Sequence, residues 1–212
     1  MAKMEQSALA WQANQLRLTV FPAKPGEVGT PNWWPAVAGE EPETALQKPR
    51  TGGARMEGPY DSGRLLLEIE PIRIDWYYTA KIDLETDAPD VVSVSNTGIP
   101  TVGEWENALG LFLGLMGKWF ELDSCPTASR LAFGAILVDP VSDRKHGYER
   151  LSHYLSSVTL DAEHSSDFLY QINRPRDSKS GIANLRINRL TKWSVLNLQT
   201  GFFAVDARNP VM

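Results

Sequence analysis

The chain has 212 residues, 42% of them hydrophobic and 22% charged, with a formal net charge of −5. That length can bury a sizeable core, and the balance is that of a globular protein, neither disordered nor fibrous. A single cysteine, Cys125, rules out an internal disulfide, and the longest apolar run, 108–116, is too short to span a membrane. No signal-peptide core follows Met1, so a cytoplasmic protein of a prokaryote or virus is expected.

Leu16, Leu18 and Val20 alternate with Arg17 and Thr19, so residues 15–21 read as a strand with one buried face. Residues 22–62 carry seven prolines and the pair Gly52-Gly53, with little periodicity. They read as a long loop or insert, ordered or mobile, within a single domain over 1–212. Trp33 and Trp34 inside it either pin the loop to the domain or form a partner-binding hot spot. From Gly63 to Thr79, Leu65, Leu67 and Ile69 alternate in one parity and Ile72, Ile74 and Trp76 in the other. The switch falls at Glu70-Pro71, which predicts a tight hairpin, with a bulged single strand as the second choice. The acidic stretch 83–90 reads as a loop, and Val91 to Val94 as a short strand.

Thr101 and Glu104 have capping-box spacing, so a helix is expected from Thr101 to about Phe120. Its apolar arc holds Trp105, Leu109, Phe112, Met116 and Trp119, widened by Leu111, Leu113, Leu115 and Phe120. Gly110, Gly114 and Gly117 fall on the opposite side. Three glycines inside a helix cost roughly 0.5–1 kcal/mol each, so a close neighbour is expected there: another element of the fold, or a second chain. Residues 131–138 are almost continuously apolar, the pattern of a central strand covered on both faces. A second helix follows Asp139-Pro140, with Tyr148, Leu151 and Leu155 at helical spacing. A late hairpin is expected from Phe168–Arg174 and Leu185 onward, and residues 202–205 suggest a short edge strand. This order is that of an α+β fold: an antiparallel or mixed sheet of about six strands with two main helices packed on it.

The charge is concentrated in that hairpin. Between Gln171 and Lys192 stand Arg174, Arg176, Lys179, Arg186, Arg189 and Lys192 against one acid, Asp177, a net +5 that leaves the remainder of the chain at −10. Four arginines to two lysines, interleaved with Asn173, Ser178 and Asn188, suit phosphate or carboxylate contacts, the alternative being a solvated edge. Catalytic patterns are weak by comparison. His146, His153 and His164 could share a helix face, but lack the ligand spacing of a zinc site. Asp83, Glu85 and Asp87 begin like a calcium loop, which Ala88 and Val94 then break. Glu68, Glu70 and Asp75 could converge as in a metal-dependent nuclease, without the lysine such sites use. Cys125 has the setting of a structural thiol. No metal, cofactor or catalytic residue is expected.

Leu66-Leu-Glu-Ile-Glu-Pro-Ile-Arg-Ile-Asp-Trp76 and Glu104-Trp-Glu-Asn-Ala-Leu109 resemble segments of an uncharacterised, sporadically distributed bacterial family. The resemblance covers about a third of the chain, and the insert at 22–62 and the basic hairpin depart from it. It implies an α+β fold and an accessory gene of a prokaryote, with mobile elements or antiviral defence as its setting. The expectation is a non-enzymatic accessory or scaffolding subunit of a multi-protein assembly. It would have protein partners, a homo-oligomer among them, through Trp33, Trp34 and the glycine strip. A nucleic-acid-binding protein using 171–192 is the alternative, and a metal-dependent hydrolase or nuclease the second.

Overall fold

A computed structural model describes residues 11–26, 32–81, 84–88, 91–94, 99–182, 185–196 and 203–204. The chain divides into two compact units, Met1–Asp139 with Gly201–Met212, and Pro140–Thr200.

The first unit contains β1 (Gln12–Pro22), α1 (Trp33–Ala38), β2 (Thr44–Lys48), β3 (Gly53–Tyr60), β4 (Gly63–Glu70) and β5 (Arg73–Ala80). There follow β6 (Leu84–Ala88), β7 (Val91–Val94), α2 (Trp105–Phe120) and β8 (Ala128–Val138). Six strands form one antiparallel sheet in the order β2-β3-β4-β5-β1-β8. This is the expected α+β architecture. In β4 and β5, Leu65 pairs with Tyr78, Leu67 with Trp76 and Ile69 with Ile74, joined across Pro71-Ile72. The parity switch is therefore a hairpin, and the proline sits in the turn where it takes no ladder bond from the sheet.

One face of this sheet is the core. Leu16, Leu18 and Val20 lie level with Ile74, Trp76 and Tyr78, all buried. Trp34 stacks on Trp76 at 6.1 Å, and Trp33 meets Trp119 edge-on at 5.3 Å. Trp33 and Trp34 thus pin their segment to the sheet and present no surface to a partner. The insert is not a plain loop, since α1, β2 and β3 lie within 22–62. In β3 a side chain at Gly58 would come within 3.2 Å of both Trp34 and the backbone of Glu43, so glycine lets α1 close down on the strand.

Helix α2 starts at Trp105, not Thr101. Tertiary bonds override the capping box: Val102 donates to Ala13, Ala13 to Gly103 and Trp105 to Trp11, holding 102–105 against the start of β1. Gly103 has φ +104°, which suits glycine and no helix interior. The helix buries Ala108, Phe112, Leu115, Met116 and Trp119, while Leu113 and Phe120 from its expected apolar arc lie exposed. Much of the acidic stretch is strand rather than loop, for Leu84–Ala88 is β6; Asp83 and Asp90 lie outside the described residues.

The second unit holds α3 (Arg144–Tyr154), β9 (Leu169–Asn173), β10 (Arg176–Asp177), β11 (Arg186–Ile187) and β12 (Leu190–Ser194). A last short strand, β13 (Phe203–Ala204), returns to the first unit beside β7. Asp143 caps α3, its carboxylate accepting from the His146 N–H at 2.9 Å. Tyr148, Leu151 and Leu155 form a small core with Phe168, Tyr170, Trp193 and Val195. Tyr154 stacks on Trp193 at 5.3 Å.

Candidate interaction surfaces

Strand β8 reads as a central strand and lies at the edge. β1 pairs with it from Gln12 opposite Val138 to Pro22 opposite Ala128, and its other side has no strand among the described residues. Leu131 is 54% exposed, Phe133 47% and Ile136 52%. Successive residues of a strand point to opposite faces, so the exposure covers both faces as well as the edge. Edge strands ordinarily carry proline, lysine or an inward charge, or are kept short. Over its eleven residues β8 has no proline and one charge, Arg130, whose guanidinium lies 5.0 Å over the Phe21 ring. The opposite edge, β2, has five residues, ends in Lys48 and is followed by Pro49. One margin of the sheet is guarded, and the other is not.

The glycine strip of α2 is also open. A side-chain carbon placed at Gly110, Gly114 or Gly117 would meet nothing within 4 Å. The expected close neighbour is not supplied by the described part of this chain.

The candidate catalytic groups do not assemble. Glu68 and Asp75 are cross-strand partners, yet each acid is neutralised. Arg17 donates to Asp75 Oδ1 at 2.7 and 2.9 Å, Thr19 donates to the same oxygen at 2.6 Å, and Arg73 forms an ion pair with Oδ2. Glu68 is held by Arg55, and Glu70 by Arg73. Among the described residues no three His, Cys, Asp or Glu side chains gather as a metal site needs. Burial pushes the Cys125 thiol up, away from the reactive thiolate.

A shallow groove beside α3 is lined by Ser142, His146, Glu149 and His153 among others. There Ser142 Oγ and Asp143 Oδ2 both sit on His146 Nδ1, at 2.8 and 2.7 Å. A hydrolytic triad needs the serine on one ring nitrogen and the acid on the other. His164, outside α3, is tied in the same way to Asp161 at 3.0 Å, so the three histidines do not share a helix face.

The basic hairpin forms as a two-stranded ribbon with one continuous register, from Leu169 opposite Ser194 to Ser178 opposite Leu185. All six cations are exposed, and among the described residues none has an ion pair. In the first unit, by contrast, Arg17, Arg55, Arg64 and Arg73 are all paired with acids. Parity divides the six between faces. Arg174, Arg189 and Arg176 continue the face of Tyr170 and Trp193, whereas Arg186 and Lys192 lie on the other and Lys179 stands past the last pair. Comparison with family models, with curated proteins and with solved structures gives no match.

Proposed function

We propose that this chain is a non-catalytic assembly subunit that accepts an extended, apolar strand of a protein partner along β8. The observation that carries the reading is the unguarded edge, with Leu131, Phe133 and Ile136 half exposed. Strand addition joins backbone hydrogen bonds, which give affinity, to side-chain pockets at alternate positions, which give specificity. Covering the exposed half of one such large side chain contributes roughly 1 kcal/mol. The carboxylates that could have formed a metal site are instead taken up by arginines, which supports a structural role for that face. No helix among the described residues is long and apolar enough to cross a membrane. With one free cysteine, this suits the cytoplasmic accessory subunit expected from the sequence.

The test compares wild type with Leu131→Lys/Ile136→Lys in pull-downs from cells that make the protein, with nuclease in both arms. Any protein captured is then made separately and recombined with each form. A one-to-one complex with wild type, absent with the variant, supports strand addition. An unchanged complex with the variant contradicts it.

A further inference from the structure

We propose that the face of the ribbon bearing Arg174, Arg176 and Arg189 binds the phosphate backbone of duplex DNA. This rests on charge and register in the second unit and is independent of β8. The unit Pro140–Thr200 has nine lysines and arginines against six acids, a net +3, while the first unit has twelve against twenty, a net −8. The excess cation of the whole chain therefore lies in the ribbon.

The register shows why these cations are more than solubilising. The Arg174 N–H donates to the Arg189 carbonyl at 3.0 Å, so the two arginines stand directly opposite each other, and Arg176 follows on the same face. Like charges directly opposite in an antiparallel pair are destabilising. No acid among the described residues relieves them. An edge that needed only protection is already guarded by Pro175. It falls at a non-hydrogen-bonded position, where its missing N–H would have pointed out of the ribbon. Three arginines on one face, lacking acids, match closely spaced anions, and guanidinium groups bind phosphate with two parallel bonds.

Shape selects the kind of nucleic acid. A two-stranded ribbon enters the major groove of B-form DNA, about 12 Å wide, and not the deep, narrow groove of duplex RNA. Single strands are gripped by stacking on exposed aromatic faces. Here Trp193 is stacked on Tyr154 and Tyr170 packs into the small core, so neither offers a free platform.

The test is fluorescence anisotropy of the full chain with a labelled mixed-sequence duplex DNA. Three phosphate contacts give a log–log salt slope of about −2.7, so binding should weaken roughly 40-fold between 50 and 200 mM salt. Arg174→Glu/Arg176→Glu/Arg189→Glu should weaken binding more than tenfold at 50 mM and flatten the slope. The corresponding triple glutamine variant, which removes the repulsion without new charge, should do the same with an unchanged circular dichroism spectrum. No binding by wild type at 50 mM salt, or equal binding by the glutamine variant, would overturn the proposal. So would tighter binding to single-stranded DNA of the same sequence. Displacement of the duplex by polyglutamate at equal charge would show a site for acidic protein and overturn it as well.

Discussion

Asp75 lies on the charged face of the large sheet with its carboxylate between two arginines and a threonine, and is 1% exposed. Removing it leaves Arg17 and Arg73 without their shared anion. Both keep about a third of their side-chain surface in water, 36% and 35%, and can turn outward. Asp75→Ala should therefore cost about 2–3 kcal/mol in urea unfolding, below the usual cost of breaking a fully buried pair. A loss under 0.5 kcal/mol would contradict the role assigned to this cluster. Asp143 gives a pH test. The His146 backbone N–H, and then the His146 ring, lower its pKa from 3.8 to about 2. A depressed acid stabilises fully above its ordinary pKa and loses that effect as pH falls through the folded value. The melting temperature of Asp143→Ala should lie below that of wild type at pH 7, with the gap closing between pH 4 and pH 2. A gap that persists below pH 2 places the effect elsewhere.

Among the elements, the β4–β5 hairpin was legible because two opposite parities met at a proline. β3 was not, since Gly53, Gly58 and Pro59 are poor strand formers and, of its inward positions Ala54, Met56 and Gly58, only Met56 carries a large apolar side chain. Trp34 and β4 place that strand, and a tertiary contact leaves no local signature. The helix start was misplaced for a similar reason, as bonds from 102–105 to the start of β1 outcompete the Thr101 box. For α2 the open glycine strip makes a direct prediction. Gly114→Ala meets no clash and gains helix propensity, so it should stabilise the isolated protein by about 0.5–1 kcal/mol in thermal melts. Destabilisation of the isolated protein would mean that the strip is already packed. On β8, Leu131→Lys/Ile136→Lys removes two half-buried apolar side chains and should cost about 1–2 kcal/mol of folding stability, so a lost complex reports on the edge once an unchanged circular dichroism spectrum shows the variant folded.

At the scale of the molecule, the sequence told how strongly charge is segregated but not how it is faced. Only the register 169–178 with 185–194 separates Arg174, Arg176 and Arg189 from Arg186 and Lys192. The apolar run at 131–138 likewise reports burial of a strand without saying which chain supplies its second neighbour. Among the described residues that neighbour is β1, on one side alone. A central-type strand left at an edge is the observation on which the assembly role stands. The most direct measurement is hydrogen exchange of the protein alone and in its complex. Strand addition predicts new amide protection concentrated in residues 128–138 on complex formation, with the β2 edge unchanged. A complex that forms without any added protection in 128–138 would contradict it.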